Sequence, residues 1–264
     1  MGQLPLKARA LTIAGSDPSG GAGMQQDLKT FAALGVWGLS AVTAVTVQDT
    51  GGVREWDVVS ANVVRAQIDA VMADIGCDAA KTGMLGTSEI VDAVARAATD
   101  HRIEQLVVDP VLAAGAGDPL ARGDLATAIR ELLLPRAMLI TPNTLEAAAL
   151  TGLEISDLDE QKEAAVALAA DGPAAVLVTG GHLDGSRVTD VLFVEGEIHE
   201  ISSPRADVGE VHGTGCALSA AIAALLAQGE KIEPAVQRAH VLVADAIARA
   251  LTLGKGARLL EVRA

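Results

Sequence analysis

Two glycine-rich strings hold the residue types best suited to chemistry. The first reads Gly15-Ser16-Asp17-Pro18-Ser19-Gly20-Gly21-Ala22-Gly23 and runs from an apolar, strand-like segment into a helical one. Glycines let a ligand approach the backbone closely, and a helix start offers unpaired amides, so this string reads as a binding loop around Asp17. The same residues would also serve as a plain strand-to-helix turn. The second string, His212-Gly213-Thr214-Gly215-Cys216, opens an apolar helix on which Leu218, Ile222, Leu225 and Leu226 share one face. Amides from Gly213 to Cys216 then form a first turn with outward-pointing donors, able to receive the charge of a phosphoryl group in transfer. That position predicts a lowered pKa and an accessible thiolate for Cys216. The alternative is a small core cysteine. A third pattern, Asn143 with Glu146, reads as a helix cap with its first-turn acid.

These strings need a scaffold that presents loops at one edge. Short apolar runs at residues 9–14, 39–48, 79–82, 106–109, 138–141 and 175–179 read as strands. Helical patterns fall at 24–34, 63–75, 89–99, 124–134, 159–170, 215–228 and 234–251, with a turn at Thr50-Gly51-Gly52 and a hairpin over 188–194 and 197–202. The alternation predicts an α/β fold, a mostly parallel sheet covered by helices on both faces, over one domain spanning residues 1–264. Ligands of such folds lie beyond the carboxyl ends of the strands. Neither G-x-x-x-x-G-K-[ST] nor a G-x-G-x-x-G after the first strand is present, which excludes P-loop and dinucleotide-binding readings.

Composition narrows the class further. The chain has 264 residues, half of them hydrophobic, and a formal charge of -14. So acidic a surface repels phosphate backbones, and aromatic residues for stacking on bases are scarce, so nucleic acid is not expected as a partner. Cys77 and Cys216 are too few for a disulfide framework, which predicts a reducing, cytoplasmic setting. No secretory segment is read at the start, and the longest apolar stretch, 216–227, is too short to span a bilayer. Trp37 and Trp56 are expected to pack rather than bind.

The ordered set of motifs resembles the hydroxymethylpyrimidine/phosphomethylpyrimidine kinases of the ribokinase-like superfamily. Besides the two glycine strings it includes Asp27-Leu28-Lys29-Thr30, Ser40-Ala41-Val42-Thr43-Ala44-Val45-Thr46, Lys81-Thr82-Gly83-Met84-Leu85, Asp109-Pro110-Val111, Thr141-Pro142-Asn143 and Gly180-Gly181-His182. The resemblance covers nearly the whole chain. It implies a three-layer α/β/α kinase using ATP and Mg2+ to phosphorylate a pyrimidine alcohol and its monophosphate in thiamine synthesis, as a homodimer. It also implies roles. Gly15, Asp17, Gly21, Gln48, Met84 and Val111 would line the pyrimidine, and Gly213, Gly215 and Cys216 would form the catalytic anion hole and proton acceptor. Asn143, Glu146, Thr179, Gly181, His212 and Thr214 would face the nucleotide, with Asp109 and Glu146 toward the metal.

Three departures from the family pattern stand out. Thr179 replaces a usual Lys, leaving a phosphate-contacting charge absent unless Arg205 supplies it. The segment 205–211 differs on the adenine side, and Leu112-Ala113-Ala114-Gly115 stands where a Lys-bearing loop is common. Gly115-Ala116-Gly117-Asp118 spells the anion-hole string of the superfamily's sugar kinases, yet Pro119 follows and no long helix opens there. Position along the chain therefore favours the string at Gly213. A pyridoxal kinase and a catalytically silent ligand-binding protein are the alternative readings.

Overall fold

The computed structural model describes residues 7–113 and 120–263. The Gly115-Ala116-Gly117-Asp118 string lies outside them. Nine strands form one sheet: β1 (Arg9–Ser16), β2 (Trp37–Asp49), β3 (Gly52–Val58), β4 (Ala79–Thr82), β5 (Leu106–Val108), β6 (Leu139–Ile140), β7 (Ala175–Val178), β8 (Arg187–Val194) and β9 (Glu197–Pro204). Their spatial order is β3-β2-β1-β4-β5-β6-β7-β8-β9. From β2 to β7 every neighbour is parallel, while β3 and the β8–β9 hairpin add antiparallel margins. A short parallel pair, β10 (Val211–His212) with β11 (Arg258–Leu259), lies apart from this sheet.

Strand alternation splits the core into two layers. Leu11, Ile13, Leu106, Val108, Val176 and Val178 face one layer, while Ala10, Val107, Ala175 and Leu177 face the other. The first is closed by α2 (Ala61–Asp74), α3 (Ser88–Asp100), α5 (Thr144–Thr151) and α6 (Leu158–Ala169), with the short α4 (Leu125–Ala128) beside them. The second is closed by α1 (Gly23–Ala33), α7 (Thr214–Ala227) and α8 (Ile232–Ala248). Every residue of α7 from Ala217 to Leu226 is buried. Its alanines let it lie close to the sheet, so the loop before it is held at a fixed depth.

The expected strands and helices recur within a few residues of their predicted bounds, with three differences. The turn at Thr50 leads into β3, an edge strand whose charged, half-exposed residues carry too little apolar signal to stand out. The helix expected over 124–134 is α4 followed by a π turn (Ile129–Leu133) and a 3₁₀ turn (Leu134–Arg136), with Pro135 unable to continue an α-helical ladder. The last helix stops at Ala248, because the chain folds back and Leu251 and Leu259 exchange backbone hydrogen bonds. Among the described residues, no helix is long and apolar enough to cross a membrane.

Candidate active site

The two glycine strings meet. Gly213 caps α7 at φ 81°, and a Cβ there would lie 1.9 Å from the carbonyl oxygen of Gly21. Only glycine permits both the left-handed backbone and that approach. Within the first string the Asp17 carboxylate accepts from the amides of Ser19 (2.8 Å), Gly21 (3.1 Å) and Ala22 (2.8 Å), and from the Ser19 hydroxyl (2.8 Å). Burial alone would raise this carboxyl, but hydrogen bonds from His212, Ser19 and Ala22 outweigh it and hold the pKa below the ordinary value. Asp17 therefore shapes the loop from inside. The Gly21 and Ala22 amides, expected to be open to a ligand, are spent on it.

Gln48 sits at the end of β2, next to this loop. Its Nε2 lies 2.7 Å from Nε2 of His212, and its Oε1 accepts from the Thr46 hydroxyl at 3.2 Å. The same His212 nitrogen stands 3.4 Å from Asp17, which places His212 with the residues expected at the pyrimidine. Gly15 adjoins Met84, whose Sδ would be 3.1 Å from a Cβ there. Met84 in turn forms a small apolar cluster with Ala44 and Leu120, against which Val111 and Trp56 pack. The Arg122 guanidinium covers the Trp56 ring at 4.3 Å. Trp37, expected to pack, is 56% exposed instead. A cavity of about 410 Å³ opens beside Gln48 and His212, with Glu210 and Arg258 in its wall.

At the other end of the site, among the described residues, no side chain caps the start of α7 and none lies within reach of a Cβ at Gly215. Beneath lies a buried charge network. The fully buried Lys81 ammonium is 3.2 Å from both Asp27 oxygens and 3.7 Å from Asp109. Thr12 donates to Asp27 at 2.6 Å, and Ser219 of α7 donates to Asp109 at 2.9 Å. Burial works against the Lys81 charge, but Asp27 and Asp109 more than reverse it, so the ammonium stays charged. The helix start does not prevail at Cys216. Burial pushes its thiol up to about 12, with Lys81 and the Gly23 amide opposing and Asp27 and Asp109 reinforcing. The shift runs opposite to the lowered pKa expected from the helix start, at a residue that is half-buried.

Asn143 and Glu146 form a complete capping box, each accepting the other's backbone amide at 2.9 Å. Burial and then the nearby Asp109 charge push the Glu146 carboxyl up to about 8. Thr179 lies directly alongside, its amide bonded to the Pro142 carbonyl at 2.9 Å. Gly181 leaves open space where a side chain would be. Arg205, the candidate to supply the charge of the usual lysine, donates its guanidinium to the carbonyls of Gly181 and Gly185 at 2.9 Å each, and to Leu183.

The glycine loops, Gln48, the buried acids and the β7 loop thus all gather at the carboxyl ends of the parallel strands. The family model described as phosphomethylpyrimidine kinase matches residues 17–261. The chain belongs to that family. Among relatives of this phosphomethylpyrimidine kinase family member, a hydroxymethylpyrimidine/phosphomethylpyrimidine kinase of Rhizobium meliloti is 46% identical over 254 residues, 95% of each chain. Among solved structures, an ADP complex of Bacillus subtilis pyridoxal kinase superposes with TM-score 0.90 at 35% identity, covering 97% of this chain and 98% of that one. A phosphomethylpyrimidine kinase of Clostridium difficile superposes with TM-score 0.81 at 37% identity, covering 91% and 100%. The ribokinase-like fold expected from the motifs holds.

In this family member Lys81 and Asp27, which sequence marked only as parts of motifs, and Ser219 were given no role in the site. Lys81 is a charge in the middle of a four-residue strand whose other members are alanine and threonine. A lysine there has to be paired, and that was the available signal. Its partner lies 54 residues away along the chain, so the pairing itself was not readable.

Proposed function

We propose that this chain transfers the γ-phosphoryl group of ATP to the hydroxymethyl oxygen of 4-amino-5-hydroxymethyl-2-methylpyrimidine, and then a second one to the monophosphate so formed. The observation that carries this reading is the contact of Gly213 with Gly21, which sets the open start of α7 against the loop beside Gln48. Membership of the family supports the same substrate class. Use of ATP is supported by the ADP bound in the Bacillus subtilis neighbour.

In the first transfer the alcohol oxygen bonds to the γ-phosphorus while the bond to the β,γ-bridging oxygen breaks and ADP leaves. The transition state is loose, so alignment and charge stabilisation do most of the catalysis. Amides at Gly215 and Cys216 face the developing charge, and Gln48 with the Met84 cluster orients the ring. Since the raised pKa of Cys216 leaves its thiol carrying its own proton, the hydroxyl proton passes to an oxygen of the transferring phosphoryl group as oxygen–phosphorus bonding acidifies the hydroxyl. Asp109 and Glu146 fit a magnesium ion, which takes hard oxygen donors and needs only one or two carboxylates alongside phosphate. Each also raises the other's cost of ionising, and a cation would relieve this. When bound, magnesium would neutralise phosphate charge.

The pyridoxal kinase neighbour favours one second reading, a vitamin B6 alcohol as substrate. ADP release is to be measured with the hydroxymethylpyrimidine, its monophosphate and pyridoxine. Turnover of the first two supports the proposal. Turnover of pyridoxine alone replaces it, and ADP release with none of the three leaves a ligand-binding homologue.

A further inference from the structure

The loop after β7 is seated on a buried pair that the transfer reaction does not use. Asp190 on β8 is 5% exposed and His240 on α8 is 7% exposed. His240 Nδ1 lies 2.7 Å from Asp190 Oδ2, and the other carboxylate oxygen accepts the Gly180 amide at 3.0 Å. Among the described residues the remaining ring nitrogen of His240 is buried without a hydrogen-bond partner, and Asp190 is the ring's one polar contact. Gly180 rests directly on β8: a Cβ would lie 2.0 Å from the Thr189 carbonyl oxygen. With its backbone pressed against that carbonyl, its amide is directed at Asp190.

Two further residues hold the same loop. Gln161 of α6 donates to the carbonyls of Val178 (2.8 Å) and Thr189 (3.1 Å), bracing the end of β7 against β8. Arg205 gathers the carbonyls of Gly181, Leu183 and Gly185 from outside. The bridge from Thr179 to Asn143 then joins the loop to the capping box.

We propose that Asp190 and His240 are positioning residues for the nucleotide: by fixing the Gly180 amide they set the Gly180-Gly181 backbone, which the family resemblance assigns to the nucleotide. The inference rests on the reading of this chain as an ATP-dependent kinase. Neither side chain touches the nucleotide itself. A misplacement on the ångström scale is enough to lose much of a phosphate contact's contribution.

The test uses the full chain and ADP as probe. Asp190→Leu and His240→Phe remove the hydrogen bonds while keeping volume. Asp190→Asn and His240→Asn keep them, through an amide that accepts from Gly180 or a donor in the place of Nδ1. The expected result is an ADP Kd and a KM for ATP raised at least about tenfold in the first pair, against about threefold in the second. KM for the alcohol is expected within about twofold throughout. Equal nucleotide affinity in all cooperatively melting variants overturns the proposal, as does parallel loss of both KM values. A second measurement avoids reliance on the variants. In the wild-type chain ADP is expected to slow backbone hydrogen exchange over residues 179–183, and unchanged exchange there overturns the proposal. A wild-type chain that binds ADP but turns over no alcohol sinks the functional reading while leaving this test standing.

Discussion

Gln48 is placed before any substrate arrives, its carboxamide lying between the His212 ring at 2.7 Å and the Thr46 hydroxyl at 3.2 Å. A 4-aminopyrimidine offers an amino donor beside a ring-nitrogen acceptor, which one carboxamide can match as Gln matches adenine. Gln48→Leu is expected to lower kcat/KM for the hydroxymethylpyrimidine by roughly fivefold to 150-fold, the equivalent of about 1–3 kcal/mol. An unchanged kcat/KM would remove Gln48 from recognition. Thr179 belongs to the same scale. With Arg205 committed to loop carbonyls, Thr179→Lys adds the only ammonium at that position and is expected to lower KM for ATP. Flat KM and kcat would place the phosphate charge elsewhere. Glu146 gives a pH signature. Its carboxyl rises from 4.5 to about 8 on folding, so its contribution to stability is full below about pH 4.5 and is lost as pH rises toward 8. Glu146→Gln should flatten the fall in melting temperature across that window, and an unaltered slope would contradict the burial of this acid.

Elements turned out more readable than contacts between them. Periodicity located β1, α1, α3 and α7 because each pairs an apolar pattern with glycine or capping punctuation. Edge strand β3 escaped, since its residues are half-exposed and its place is set by pairing to β2. The Asn143–Glu146 motif was legible as a capping box, and the structure forms it in full. What the sequence could not supply was depth. The start of α7 predicts a lowered Cys216 pKa only if the thiol is solvated, and burial reverses that. The same helix start offers a paired test. Gly213→Ala must place a Cβ onto the Gly21 carbonyl at positive φ, so it is expected to destabilise by well over the about 1–2 kcal/mol of the left-handed backbone alone. Gly215→Ala meets open space and should melt near wild type, yet it narrows the phosphoryl site and should lower kcat. Equal melting temperatures for both would break the claim that the two glycine strings are locked together.

Across the whole molecule, one buried network ties the sheet to the helices that carry the chemistry. Lys81 on β4 holds Asp27 of α1 and Asp109 beyond β5, Thr12 of β1 supports Asp27, and Ser219 of α7 supports Asp109. The ion pair is therefore also a ruler, fixing α1 and α7 against three parallel strands. Lys81→Met leaves two acids buried without their counter-charge, which for a broken buried pair costs about 3–5 kcal/mol. Lys81→Met with Asp27→Leu removes the orphaned charge on α1, and replacement of a buried pair by apolar residues is often nearly neutral. The double variant is thus expected to recover at least half of the lost melting temperature. It should not recover kcat, because Asp109 still lacks the ammonium that holds it beside the start of α7. Recovery of stability and rate together would make the network scaffolding alone. No recovery of stability would show that Asp109, rather than Asp27, carries the uncompensated charge.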